Sequence, residues 1–210
     1  MGESNVNLAA LIGSRICHDL ISPIGAIANG LELLDLTGTA PGPEMALIAD
    51  SAGHAGARIR FFRIAYGGPG QQSMGRSEVV SILNDLGQTG RLRVDWAVPD
   101  AQPRSQVRLA FLALQCLETA MPVGGDVLVG MDTDGWVVSG RSDRLAVDAT
   151  LWRRLGLRGP ASEEMPETQP GSGAEISPAL VQFALLPELA ADLGRCVTST
   201  ATATGITLRF

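Results

Sequence analysis

In SRICHDLISPIGAIANGLELL, Ser14 to Leu34, a histidine and an aspartate stand side by side, and a Ser-Pro pair comes one helical turn later. A neutral imidazole has one N–H and one lone pair, and the lone pair is a nucleophile. Asp19 is placed to accept a hydrogen bond from one ring nitrogen of His18, which fixes the tautomer and leaves the other nitrogen free to attack. Ser22 lies on the same helix face and offers a hydroxyl to a phosphoryl oxygen or a water. Pro23 has no N–H, so the Asp19 carbonyl loses its helical partner and the helix bends or loosens beside His18. Each residue alone is commonplace. The set at this spacing is specific.

The first alternative is a histidine inside a core helix. At about 100° per residue, Ile16, Leu20, Ile24, Ile27, Leu31 and Leu34 fall within a sector of roughly 80°. His18, Ser22, Gly25, Asn29 and Glu32 fall on the opposite side, a polar strip of small residues that another protein can approach closely. His18 is therefore off the apolar stripe, and the plainer competitor is a solvated surface histidine. Cys17 and His18 point about 100° apart, a poor shared metal site. His54, in SAGHAGAR, has no adjacent acid or proline, and Gly53 and Gly56 weaken its helix, so it reads as structural or solvated.

The elements that must position this strip read as a helical hairpin. The apolar pattern runs from about Leu8 to Leu36, and TGTAPGP breaks it. Pro43 suits the first turn of a second helix, and Glu44 suits its positive end. That helix carries Met45, Ile48, Ala52, Ala55, Ile59, Phe62 and Tyr66 at alternating steps of three and four, a coiled-coil-like seam. Gly67 stops it, and GGPGQQSMG reads as a linker. The rest reads as α/β. A helix is expected over Arg76 to Leu86 and a half-buried strand in LRVDWAV. VRLAFLALQCLETAM is a helix, and DVLVGM and WVVSGRS form a hairpin around DTDG. A short helix is expected from Asp148 to Leu155, then a Pro/Gly/Glu-rich loop over RGPASEEMPETQPGSGAE. ISPALVQFALLPELAADLG is a helix with an interior proline, and CVTSTA and GITLRF are strands. There is no internal repeat.

Composition narrows the class. The chain has 210 residues, a net charge of −6, sixteen arginines and no lysine. An acidic chain with dispersed arginines argues against nucleic acid as the main partner. No apolar run is long enough to span a bilayer, nothing resembles a signal peptide, and Val6 breaks the myristoylation pattern. Cys17, Cys116 and Cys196 lie in apolar patterns with no CxxC pair, which reads as reduced thiols in a cytoplasmic protein.

HDLISPIGAI resembles the H-box of two-component histidine kinases: His, an acid, an apolar residue, Ser/Thr-Pro and a further apolar run, with GLELL after it. The second helix, with RIRFFRIAYG, and the later layout resemble more closely the ChpT-type histidine phosphotransferases, from about Leu8 to Phe210. The resemblance implies an α+β fold: a helical hairpin over residues 1–68, then an α/β sandwich over 76–210 like a histidine-kinase ATP-binding domain. A lone hairpin cannot cover both apolar seams, so a dimeric four-helix bundle with the His18 strips outward is expected; the alternative is a monomer whose α/β unit folds back over the hairpin. A working domain of that kind carries an asparagine on the helix before Gly124-Gly125, a DxGxG stretch, and a GxGLG turn that meets phosphates. Here Gln102 to Gly125 has no Asn, SDRLAVD stands for the second, and GSGAEISPAL for the third. Three losses together argue for a domain that kept its shape and discarded nucleotide chemistry.

These features describe a phosphoryl carrier with no cofactor of its own. The resemblance implies a donor phospho-aspartate on the receiver domain of a hybrid sensor kinase, an acceptor aspartate on a response-regulator receiver, and Mg²⁺ supplied by the receiver. His18, Asp19 and Ser22 form the expected catalytic set: His18 the acceptor, Asp19 its orienting partner, and Ser22 serving geometry, hydrolysis or nothing. Arg15, Ile21, Gly25 and Asn29 are expected partner contacts, with packing of Ile21 on the second helix standing level with that reading. Arg58, Arg60 and Arg63 lie on the second helix, antiparallel beside the first, where one of them can stand level with His18 and attract an acidic receiver surface, but they read mainly as a solvated face. Two further functions stay open: a scaffold that docks receivers without passing phosphate, and an ATP-dependent kinase with divergent boxes.

Overall fold

The fold comes from a computed structural model that describes residues 2–37, 42–68, 70, 72–88, 90–158 and 176–210. The expected Pro/Gly/Glu-rich loop lies almost entirely outside these residues.

Two long helices open the chain. α1 spans Gly2–Thr37 and α2 spans Pro43–Ala65, packed against each other as an antiparallel hairpin. α1 begins six residues before the apolar pattern does and continues through Pro23. α2 starts as expected, with Gly42 extended and Pro43 in the first turn, where its missing N–H is no loss. At its other end the Tyr66 N–H returns to the Phe62 carbonyl at 2.8 Å. Gly67 is required there, since a Cβ would sit 2.2 Å from the Arg63 carbonyl oxygen.

The linker holds a strand. β1 (Ser73–Met74) pairs antiparallel with β3 (Gln102–Pro103), and Met74 is buried beneath it. Between them lie α3 (Arg76–Gly87) and β2 (Leu92–Trp96). After β3 come α4 (Arg104–Ala120), β4 (Gly125–Asp132), β5 (Gly135–Arg141), α5 (Ala149–Arg153) and β6 (Leu157–Arg158). A single 3₁₀ turn, Pro178–Leu180, leads into α6 (Gln182–Asp192), and β7 (Thr198–Ala201) and β8 (Gly205–Arg209) close the fold.

The main sheet has the order β2-β4-β5-β8-β7-β6, antiparallel in its centre and parallel at both edges. Its strands alternate cleanly. Trp96, Val127, Val129, Trp136, Val138, Ile206 and Leu208 point to the core, and Asp95, Leu128 and Thr200 to solvent. One covered face and one wet face is the usual state of an antiparallel sheet. α4 lies on the covered face and is buried nearly all round from Val107 to Leu117, as a helix at the centre of a layered fold must be. Close approach is enforced at Gly140, where a Cβ would fall 2.6 Å from the Met121 sulfur and 2.9 Å from a Leu117 methyl. α5 is set by Asp148, whose carboxylate accepts from the N–H groups of Thr150 and Leu151.

The hairpin shares this core. Phe61, Phe62, Ile64 and Ala65 of α2 are buried in the same cluster as the sheet and α4, and Leu8, Leu11, Ile12 and Ile16 of α1 pack against it.

Candidate functional site

His18 sits at the middle of α1 with its side chain 78% exposed. Its Nδ1 lies 3.1 Å from Asp19 Oδ1. A carboxylate oxygen accepts, so in the neutral imidazole this contact assigns the proton to Nδ1 and turns the Nε2 lone pair to solvent. Asp19 itself is only 10% exposed. Its other oxygen, Oδ2, accepts from Arg15 Nε at 3.0 Å and from Arg58 Nη1 at 3.2 Å. Arg15 is one turn back on α1; Arg58 reaches across from α2. Two guanidinium groups thus fix the carboxylate that faces the imidazole, by charge-assisted hydrogen bonds.

Neither arginine ends there. Arg15 Nη1 donates to the carbonyl of Ala179 in the 3₁₀ turn. Arg58 Nη2 lies 3.7 Å from Glu118 Oε1 on α4. Nearby, Tyr66 donates its hydroxyl to Gln115 Oε1 at 2.8 Å. Burial pushes the Tyr66 phenol up to about 12, against an opposing pull from Arg15.

Ser22 is exposed one turn beyond His18, and Ile21 is 69% exposed, so its side chain lies in solvent rather than on α2. Gly25 is half-buried and Asn29 exposed, and a Cβ at Gly25 would meet nothing within 4 Å. Arg15 departs from its expected place among the partner contacts. Its guanidinium is turned inward onto Asp19 and Ala179, and its side chain is 13% exposed.

The arginines of α2 divide. Arg60 pairs with Asp85 at 2.7 Å and Arg63 is exposed, in keeping with a solvated face. Arg58 instead belongs to the site. That contact joins residues 39 apart in sequence, so no local pattern carries it; only matching the two helices level by level points to it. His54 is half-buried with its Nε2 shielded and unpartnered. Burial, then the Arg58 charge, hold its pKa below the ordinary value. It thus stands between the structural and the solvated readings that the sequence left open. Cys17 and Cys196 are exposed and Cys116 is buried, with desolvation raising its thiol pKa. Among the described residues no cluster of His, Cys, Asp and Glu is arranged to hold a metal, and no helix is long and apolar enough to cross a membrane.

The GSGAE part of the third nucleotide-motif position lies outside the described residues; the described parts of the motif positions are tied into the fold. The Ser142 hydroxyl donates to the Gly124 carbonyl at 2.6 Å, and the Ala146 N–H to the carbonyl of Ala120 at the end of α4. Val181 and Phe183 are fully buried, and Gln182 Nε2 donates to Thr119 Oγ1 at 3.1 Å, so α6 lies directly on α4.

A model of the histidine phosphotransferase C-terminal domain matches residues 76–205. This chain belongs to the histidine phosphotransferase family. Among members, protein phosphotransferase ChpT of Brucella abortus (strain 2308) is 39% identical over 137 residues, 62% of this chain and 65% of that protein, so the match spans just under two thirds of the relative. A structure solved at 1.7 Å of a bacterial phosphotransferase superposes with a TM-score of 0.74 at 32% identity, covering 97% of this chain and 95% of the other. The family model covers the α/β unit and leaves out the hairpin; the solved phosphotransferase shares both. His18 thus stands on a helix that the solved relative's fold includes and the C-terminal domain model does not reach.

Proposed function

We propose that this histidine phosphotransferase carries a phosphoryl group within a two-component phosphorelay, on Nε2 of His18. The observation that carries the reading is the Nδ1 contact. The ring is open to a partner on one side, while Asp19, held by Arg15 and Arg58, keeps the proton on the other.

The donor is the phospho-aspartate of a receiver domain. The Nε2 lone pair attacks phosphorus in line, a P–N bond forms, and the P–O bond to the aspartyl carboxylate breaks with its electron pair staying on that carboxylate. The Nδ1 proton remains between His18 and Asp19, which stabilises positive charge gathering on the ring. The acceptor step is the same displacement in reverse, onto an aspartate of a response-regulator receiver. The receiver's divalent cation belongs to the partner's site. Ile21, Ser22 and Asn29, all exposed on the stretch of α1 that starts at His18, supply the surface that meets the receiver.

ATP is not the donor in this reading. Support comes from the absent asparagine, DxGxG and GxGLG, and from α6 seated on α4. We further infer a homodimer. Ile24 and Leu31 on α1 and Met45, Ala52 and Ile59 on α2 are exposed apolar or small residues seven apart, the period of a helix-bundle seam. A second copy of the hairpin would cover them and leave both His18 strips outward.

The experiment is transfer of labelled phosphate from a phosphorylated receiver to the purified protein, with His18→Ala and ATP alone as parallel reactions. Acid-labile, base-stable label on wild type, lost in His18→Ala and absent with ATP, is the expected result. Label from ATP alone would make the chain a kinase. No label from any of several receivers would leave a docking scaffold.

A further inference from the structure

The two arginines that hold Asp19 are each held, at the far end, by the α/β unit. Arg15 bridges Asp19 to the Ala179 carbonyl, at the 3₁₀ turn before α6. Arg58 bridges Asp19 to Glu118 through two different nitrogens of one guanidinium, Nη1 toward the aspartate and Nη2 toward the glutamate. Glu118 projects from α4, the most buried helix among the described residues, and is itself half-buried, its side chain 24% exposed. The chain of contacts therefore runs from a rigid core helix, through Arg58 and Asp19, to Nδ1 of the exposed imidazole.

We propose that Glu118 is a positioning residue for His18, acting through Arg58 and Asp19, and that the α/β unit fixes the tautomer of the phospho-acceptor. This rests on the reading of His18 as the acceptor. The physical reason is orientational. A guanidinium is a planar fork, and anchoring one arm leaves the other arm a single direction. Without Glu118, Arg58 is free to swing on its long side chain, and Asp19 loses one of the two donors that aim its Oδ1 at the ring. Asp19 then remains hydrogen-bonded to Arg15 but is no longer held from both sides. The α/β unit, matched by the phosphotransferase family model, would thus serve as the frame that keeps one nitrogen of His18 protonated and the other nucleophilic.

The test uses the whole 210-residue chain with ¹⁵N-labelled histidine. The chain has two histidines, so His54→Gln removes the only other imidazole signal. Tautomer populations of His18 are read from its ring ¹⁵N shifts in wild type, Glu118→Gln and Glu118→Asp, and transfer from a phosphorylated receiver is followed at varied receiver concentration. Glu118→Gln keeps the side chain's size and removes its charge. The expected result is loss of the Nδ1-protonated signature and a kcat for labelling lower by about 10- to 100-fold, with KM for the receiver unchanged. Glu118→Asp should restore part of both. Arg58→Lys, which has no second arm, should resemble Glu118→Gln. A Glu118→Gln protein with the wild-type ¹⁵N signature and wild-type kcat overturns the proposal while leaving His18 as acceptor. Wild type that takes no label from any receiver overturns the acceptor reading itself, and with it a positioning role in transfer.

Discussion

Phe61 of α2 lies flat on Phe111 of α4, ring centroids 4.7 Å apart and planes 11° from parallel. Both rings are buried, so the helical hairpin and the α/β unit meet in one apolar core rather than across a linker. Phe61→Ala removes a ring that this shared core closes around. It should cost about 3–5 kcal/mol, the range for truncating a buried phenylalanine. Urea denaturation followed by ellipticity and by fluorescence checks this, and the two midpoints should fall together in wild type.

Asp19→Asn keeps size and removes charge. Arg15 and Arg58 then face an amide, and the imidazole loses a strict acceptor at Nδ1. Labelling from a phosphorylated receiver should slow by about 100-fold or more, in the range typical of lost proton management at a reacting group. By contrast, His18→Gln, at a site 78% exposed, should change stability by no more than about 0.5 kcal/mol while abolishing label.

Tyr66 is the only tyrosine, so its ionisation is directly visible in ultraviolet absorbance. Its midpoint should lie near 12, raised chiefly by burial. A phenol whose native pKa is raised binds its proton more tightly when folded. The stability this reflects is full below about pH 10, the unfolded value, and is lost as pH rises through the native midpoint. His54 works at the other end. Its pKa is lowered by burial and by Arg58, so the folded chain loses stability as pH falls below about 6.5, toward the native value. Tyr66→Phe should flatten the alkaline limb, and His54→Gln the acidic one, in thermal melts across pH.

Charge placed on the exposed seam should separate two copies. Ile59 is 53% exposed and Leu31 is 54% exposed. Ile59→Glu together with Leu31→Glu should move the protein to monomer mass in analytical ultracentrifugation, with the secondary structure kept. Wild type sedimenting as a monomer at the same concentration would end the dimer reading.

The hairpin, the order of later elements and the His18–Asp19 pair are all legible in the chain, because each rests on local spacing: a 3.6-residue period, a proline at a first turn, an acid beside a histidine. The hidden features rest on separation in sequence. Arg58 is indistinguishable from its neighbours Arg60 and Arg63 until the helices are set side by side, and Glu118, 99 positions beyond Asp19, carries no local sign of its role. β1, β3 and β6 are two residues each, too short for alternation to register, so the segment holding Met74 has the composition of a linker. The apolar stripe of α1 is visible as a stripe, yet period alone does not say what covers it: Ile16 meets the core, whereas Ile24 and Leu31 stand in solvent.

The aromatic residues give the molecule separate optical channels. All three tryptophans lie in the α/β unit, no more than 2% exposed, with Trp96 5.5 Å from Trp136 and Trp152 edge-on to Phe183. The hairpin has none, and Tyr66 stands where the two parts join. Indole emission therefore watches the α/β unit, phenol absorbance watches the junction, and amide ellipticity is weighted toward the two long helices. An encounter at His18 that loosens the hairpin alone would be silent in the first channel and visible in the third, with no label attached.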